Sequence, residues 1–120
     1  GSTFGGNALT CAAAYASTKF IIENDIPDKA QKMGEYFTKG LNELKGRHGI
    51  VKDVRGVGLL IAMEFNSDVT PKVVGACNKL GLLLNPLKPN AIRFMPPLTV
   101  SENEIDEALG ILEKAISEAA

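Results

Sequence analysis

Few residues of this sequence are suited to metal binding or nucleophilic chemistry. It contains no tryptophan and only one histidine, His48, and its two cysteines are Cys11 and Cys77. Both cysteines lie in helical apolar patterns without partners at ligand spacing. We therefore interpret them as small core residues, not as a disulfide or a metal site. His48 lies in a Gly-rich stretch that is typical of a solvated turn. No nucleophile–histidine–acid set is present, and we assign no catalytic residue and no metal ligand.

The charge balance and the short apolar runs exclude two classes of partner. Thirteen basic and 14 acidic residues give a net charge of −1, which indicates neither a nucleic acid nor an anionic membrane as a partner. The longest apolar stretches, such as Gly58–Ala62, are too short to span a bilayer, and no signal-peptide pattern opens the chain. A length of 120 residues with 45% hydrophobic content suits one globular domain.

The N-terminal part predicts a helix with a face of small residues. Asn7 is a favoured N-cap because its side-chain oxygen can accept a hydrogen bond from the first turn. Apolar residues then recur at helical spacing on one face, namely Leu9, Ala12, Ala13, Ala16 and Phe20. A face rich in alanine allows close approach of another surface, which the rest of this chain need not supply.

Three more helices and four short strands are predicted beyond this helix. The helices are expected at about 28–45, from Thr70-Pro71 to Gly81, and from the capping-box sequence 101–104 onward. The strands are expected at 50–54, 58–65, 82–85 and 91–94, with breaks at 55–57 and 86–90. This order predicts an α+β fold, a small and mainly antiparallel sheet with helices packed on one face.

Two features could bind anions. The opening Gly1-Ser2-Thr3-Phe4-Gly5-Gly6-Asn7 offers hydroxyl donors before a helix start, where amides and the dipole favour negative charge, although such an entry is also typical of a plain turn. Arg93 alternates with Ile92 and Phe94 and could offer a bidentate fork to a carboxylate, or could be a solvated strand residue. For Arg55 we favour a structural turn or ion-pair role. Glu64 has no visible partner.

Three blocks of the sequence, in family order, resemble class-III (ornithine-type) PLP aminotransferases. They are the opening segment 1–7 with its Ala/Cys-rich helix, the segment Val-Arg-Gly-Val-Gly-Leu at 54–59, and Ala-Ile-Arg-Phe-Met-Pro-Pro-Leu-Thr at 91–99 followed by Glu-Ile-Asp at 104–106. The 93–99 block looks most like acetylornithine aminotransferases. Together the blocks span nearly the whole chain.

The resemblance implies a fold, a cofactor and a set of roles. Fold-type I enzymes have a large cofactor domain and a small C-terminal α+β domain and act as homodimers. Thr3 matches the residue that reaches the PLP phosphate of the neighbouring subunit, and Ser2 lies beside it. Arg93 matches the arginine that binds the substrate α-carboxylate. Residues 1–24 would lead from the cofactor domain, and residues 25–120 would form the small domain.

The resemblance also implies an aminotransferase that this chain cannot complete alone. Such an enzyme, expected in the cytoplasm, would transfer an amino group from N-acetylornithine or a related ω-amino acid to 2-oxoglutarate. The Schiff-base lysine belongs upstream of Gly1, so we expect a C-terminal part that is inactive alone. The alternative is a free-standing small-molecule-binding or interaction module derived from such a domain.

Overall fold

The chain folds into four helices and four strands in the computed structural model, which describes residues 3–119. In chain order the elements are α1 (Ala8–Glu23), α2 (Ile26–Arg47), β1 (Val51–Val57), β2 (Leu60–Phe65), α3 (Thr70–Lys79), β3 (Asn85–Lys88), β4 (Ala91–Phe94) and α4 (Glu102–Ala119). The sheet has the order β1-β2-β4-β3, and all neighbouring strands are antiparallel. The predicted α+β class is confirmed.

Helices α2, α3 and α4 pack on one face of this sheet. Alternate residues of β2 and β4 point into the resulting core and are buried, namely Ile61, Met63, Phe65, Ile92 and Phe94. The rings of Phe37 in α2 and Phe94 meet edge to face with centroids 5.1 Å apart. Such a pair contributes about 0.5–1.5 kcal/mol beyond the burial of its area. The opposite face of the sheet carries the polar residues of the candidate site.

The β1–β2 hairpin turns later than the sequence suggested. We predicted a break at 55–57, but β1 continues to Val57 and the turn lies at Gly58-Leu59. Gly58 has φ +53, a left-handed conformation that glycine adopts without steric penalty. The backbone of α2 approaches this turn closely, because a Cβ added at Gly34 would collide with the Gly58 carbonyl. Gly34 and Gly58 therefore allow α2 and the hairpin turn to pack in close contact.

Strand β3 also begins later than predicted. Residues 82–84 do not pair as a strand, because the chain is still leaving α3: the Leu82 amide donates to the Cys77 carbonyl at 2.9 Å, and Gly81 has φ +88. Pairing starts at Asn85, so Pro86 lies within β3 and not in the turn. This shift places Asn85 directly opposite Arg93.

Helix α1 stands apart from the core. None of its residues is buried, and Leu9 and Tyr15 remain 80% and 69% exposed. Asp25, with φ 49, separates it from α2. The radius of gyration of 16.8 Å exceeds the value of about 14 Å expected for a compact domain of this length. As expected, residues 3–119 do not supply the surface that the alanine-rich face requires.

The structure corrects the interpretations of Cys11 and His48 and confirms that of Cys77 as a core residue. Cys77 is buried, and burial raises its pKa to about 11, whereas Cys11 is exposed on α1 and is no core residue here. His48 is not a solvated turn residue: its side chain is 18% exposed, and Nε2 lies 3.4 Å from Glu113 Oε1.

No helix within residues 3–119 combines the length and apolar character needed to cross a bilayer.

Candidate functional site

The candidate site is built on a row of residues across the open face of the sheet. Strand pairing aligns Arg55 of β1 with Ala62 of β2, Ala62 with Arg93 of β4, and Arg93 with Asn85 of β3. Directly paired residues project on the same side of a sheet. Arg55 and Arg93 are therefore about 10 Å apart on one face, at two strand spacings.

One N–H donor of Arg93, at Nε, has no hydrogen-bond partner among residues 3–119. Arg93 is half-buried in β4, and this Nε is itself buried. A buried donor left unsatisfied costs about 1–3 kcal/mol, so this Nε requires an acceptor from outside the described residues. The strand alternation that the sequence predicted for Arg93 is present, since Ile92 and Phe94 point into the core.

The guanidinium of Arg55 is hydrogen-bonded to neighbouring carboxylates. Its Nη1 donates to Asp53 Oδ2 and to Glu64 Oε2, each at 3.0 Å, and Lys52 Nζ lies 2.7 Å from Glu64 Oε1. Hydrogen bonds from Lys52 and Arg55 hold the pKa of Glu64 below its usual value, and Arg55 does the same for the pKa of Asp53. These contacts confirm the ion-pair role of Arg55. The turn role is wrong, because Arg55 lies within β1. The prediction that Glu64 has no partner is also wrong.

A groove of about 470 Å³ opens beside Arg93. The segment 82–85 and the stretch 93–97 form its walls, and Phe37 of α2 and Ala108 of α4 close it. Arg93 and Asn85 are the two polar side chains among its lining residues. The mostly apolar lining of this groove suits an apolar part of a ligand.

The opening segment offers one described hydroxyl for an anion. Thr3 is exposed, and Ser2 lies outside the described residues. The predicted Asn7 cap is confirmed: Asn7 Oδ1 accepts from the Thr10 amide at 3.0 Å. Because this cap already satisfies one amide of the first turn, an anion would depend on Thr3 and the loop more than on α1 itself.

The residues present fit only one end of PLP. Thr3 can donate to its phosphate, whereas the aldehyde of the cofactor requires a lysine amine held in a pocket. No lysine of residues 3–119 is buried. No lysine among residues 3–119 is therefore held in a pocket formed by the described residues themselves.

Sequence reasoning missed Asn85 as a member of this site. Asn85 could have been identified only from the register between β3 and β4, which depends on where β3 begins. The predicted strand began at residue 82, three residues before the first paired residue, Asn85. The sequence identified Arg93 and Arg55 separately. It could not show that both belong to one row on one face, since pairing between distant strands is not encoded in local periodicity.

Comparisons with known proteins agree with this fold. The family model Aminotransferase class-III matches residues 1–116. An acetylornithine aminotransferase from Caldanaerobacter subterraneus subsp. tengcongensis is 42% identical over 117 residues, which is 98% of this chain and 30% of that protein. The crystal structure of an acetylornithine aminotransferase from Elizabethkingia anophelis superposes with a TM-score of 0.89 at 35% identity, covering 98% of this chain and 32% of that one.

A lysine aminotransferase from M. tuberculosis is also similar, with a TM-score of 0.92 at 28% identity, covering 99% of this chain and 28% of that one. The helices, the antiparallel sheet and the family match define a segment of an aminotransferase. The chain belongs to the class-III aminotransferase family. It spans about 30% of the length of the curated relatives it matches.

Proposed function

We propose that this chain is the C-terminal part of a PLP-dependent aminotransferase and that the full-length protein transfers an amino group from N-acetylornithine, or a related ω-amino acid, to 2-oxoglutarate. The match of the class-III aminotransferase model to residues 1–116 is the observation that carries this proposal. The unpaired Nε of Arg93, a lining residue of an apolar groove, supports it. Similarity to acetylornithine aminotransferases along nearly the whole chain favours this amino donor.

Arg93 is proposed to bind the α-carboxylate of the substrate. A guanidinium fork matches both carboxylate oxygens, so it fixes the direction of the substrate as well as its position. The apolar walls of the groove would accept the methylene chain of an ω-amino acid and exclude water around the ion pair. A hydrogen bond to a charged group contributes about 1.5–3 kcal/mol, or about 10- to 150-fold in binding.

Thr3, with Ser2 beside it, is proposed to bind the phosphate of PLP in the neighbouring subunit of a homodimer. The exposed hydroxyl of Thr3 suits a contact with a group outside this chain. PLP, when bound, supplies the electron-withdrawing ring that amino transfer requires. The Schiff-base lysine is proposed to lie in a part of the protein outside these residues.

We also propose that the protein is divided between residues 24 and 25. Residues 1–24 would lead from a cofactor domain, and residues 25–120 would form a small domain. The exposed face of α1 and the left-handed Asp25 after it support a boundary there. We propose the cytoplasm as its location, as for an enzyme of amino-acid metabolism.

The test is steady-state transamination by the purified full-length protein with N-acetylornithine and 2-oxoglutarate. We expect turnover that depends on PLP and that is slower with 4-aminobutyrate, whose carboxylate lies one carbon closer to the amine and which has no acylated α-amino group. Absence of turnover with every ω-amino acid would favour a free-standing binding module instead.

A further inference from the structure

A small cleft lies at the junction between α1 and α2. Its volume is about 310 Å³, and its walls come from the end of α1, the start of α2 and the stretch 98–100 after β4. Apolar side chains form more than half of this lining, with Phe20 and Leu98 half-exposed and Ile26 buried. None of its described lining residues belongs to the groove that Arg93 lines. Small-molecule sites span about 300–1,000 Å³, so this cleft suits a ligand of few atoms.

The charges that line this cleft are all positive. Lys29 and Lys32 line it from one face of α2, three residues apart, and no acidic residue of the described part of the chain does. Neither ammonium group makes a salt bridge with an acidic side chain of residues 3–119. The positive end of the α2 macrodipole lies at the same place. The cleft therefore complements an anionic group that is attached to an apolar one.

The other cleft at the same junction has the opposite charge. It has a volume of about 240 Å³ and is lined by Asp25 and Asp28 with Ile21, Ile22 and Pro27, and by no basic residue among those described. The net charge of the whole chain is only −1. Acidic and basic side chains are thus separated between the two clefts, which makes the acidic cleft a matched control for the basic one.

We propose that the cleft between α1, α2 and residues 98–100 binds a small carboxylate that carries a short alkyl chain. The carboxylate lies between Lys29 and Lys32, and the alkyl chain contacts Ile26, Met33 and Leu98. This site uses none of the residues assigned to PLP or to the amino-acid substrate, so it does not rest on the proposed function. Exposed ion pairs are weak and are screened by salt, so we expect a dissociation constant on the order of 1 mM that rises with ionic strength.

The test is a titration of the full-length protein with hexanoate, followed by NMR of methyl-labelled methionines. Met33 lines this cleft and Met95 lines the groove that Arg93 also lines, so the two methyl groups report on separate places. Each signal is identified by its loss in Met33→Leu or in Met95→Leu. We expect hexanoate to move the Met33 signal along a saturating curve.

Two further probes separate the charge from the apolar contact. Hexanamide has the alkyl chain without the charge and should bind about 2- to 30-fold more weakly than hexanoate. Acetate has the charge without the longer chain and should bind at least about tenfold more weakly, because it lacks four methylene groups.

Substitutions on α2 test the assigned side chains. The double variant Lys29→Gln with Lys32→Gln should weaken hexanoate binding about 2- to 30-fold, since it removes two exposed ion pairs. Asp28→Asn, in the acidic cleft, is the matched control and should not weaken it. All three positions are exposed, so the variants should fold as the parent does.

The outcomes decide between this site and others. A Met33 signal that stays in place at hexanoate concentrations about 20-fold above the expected dissociation constant would overturn the proposal. Equal affinity for hexanamide, or equal affinity in the double lysine variant, would overturn it as well. Movement of the Met95 signal alone would place the carboxylate beside Arg93 instead. A protein that binds hexanoate as expected but has no transaminase activity would contradict only the proposed function.

Discussion

Arg55 and Arg93 lie on the same face of the sheet, one on each side of Ala62, and they have opposite electrostatic surroundings. Arg55 donates to two carboxylates, whereas the buried Nε of Arg93 has no partner within residues 3–119. Two arginines in one cross-strand row are therefore suited to different tasks. Arg55 pairs with Glu64 across the hairpin, and Arg93 is proposed to bind an anion.

Substitution of Arg93 should mainly weaken binding of the substrate carboxylate. In the full-length protein, Arg93→Ala removes a charge-assisted fork of about 1.5–3 kcal/mol, so kcat/KM should fall at least about tenfold. Arg93→Lys keeps the charge but loses the fork and should recover only part of this. Arg55→Ala is the matched control and should change KM by less than about twofold, because it removes an exposed ion pair. Equal effects of Arg93→Ala and Arg55→Ala would contradict the assignment.

Thr3 should act across a subunit interface. Thr3→Ala removes a hydroxyl donor to a charged phosphate, which should loosen PLP by about 1.5–3 kcal/mol in a cofactor titration. A contact between subunits can be complemented. A heterodimer of one subunit with Thr3→Ala and one without the Schiff-base lysine has one site with both lesions and one with neither.

Transaminase activity near one working site per heterodimer is the expected result of that mixing experiment. Tagged subunits purified in tandem show that heterodimers have formed. If such heterodimers remain inactive, Thr3 serves the site of its own subunit or has no contact with the cofactor.

Gly34 and Gly75 should respond oppositely to the same substitution. A Cβ at Gly34 would collide with the Gly58 carbonyl, so Gly34→Ala should lower the free energy of unfolding by about 1–3 kcal/mol or more. Gly75 is exposed within α3 and has nothing within 4 Å of an added Cβ. Gly75→Ala should raise the free energy of unfolding by about 0.5–1 kcal/mol. Urea unfolding of the two variants measures both, and a neutral Gly34→Ala would mean that α2 does not approach the hairpin so closely.

The start of α4 should depend on pH. Ser101 donates to Glu104 Oε2 from its amide at 2.8 Å and from its hydroxyl at 2.7 Å, which lowers the pKa of Glu104 from its ordinary 4.5. A lowered pKa in the folded state stabilises the fold above that ordinary value, and the stability is lost as pH falls through the folded pKa. Glu104→Gln should therefore show a smaller fall in the urea midpoint between about pH 6 and about pH 3. Identical pH dependence of the two proteins would exclude this contribution.

The sequence predicted the fold class and the existence of every element, because helical stripes, caps and strand runs are local signals. The capping box at Ser101 and the cap at Asn7 were both correct. Strand boundaries were wrong where glycine geometry decided them, at Gly58 and after Gly81. Both positive-φ turns depend on how α2 and α3 pack, which local propensity does not encode.

The candidate site was predicted only in part for the same reason. Arg93 was identified from strand alternation and family resemblance, and its place on the open face follows from β4. The position of Asn85 opposite Arg93 was not visible, because it depends on the β3–β4 register. The partners of Arg55 were not visible either, since Glu64 reaches it from the next strand. Thr3 and Ser2 keep the roles implied by resemblance as predictions.

The most direct test is borohydride reduction with PLP, together with a transamination assay, on the 120-residue chain and on the full-length protein. With N-acetylornithine and 2-oxoglutarate, the full-length protein should turn over and carry one reduced PLP on a lysine outside residues 1–120. The 120-residue chain should show neither turnover nor stoichiometric labelling of one lysine, because the Schiff-base lysine is proposed to lie outside it. Turnover by the 120-residue chain, with PLP fixed stoichiometrically to one of its own lysines, would contradict the proposal that this segment supplies the substrate-binding arginine and not the Schiff-base lysine.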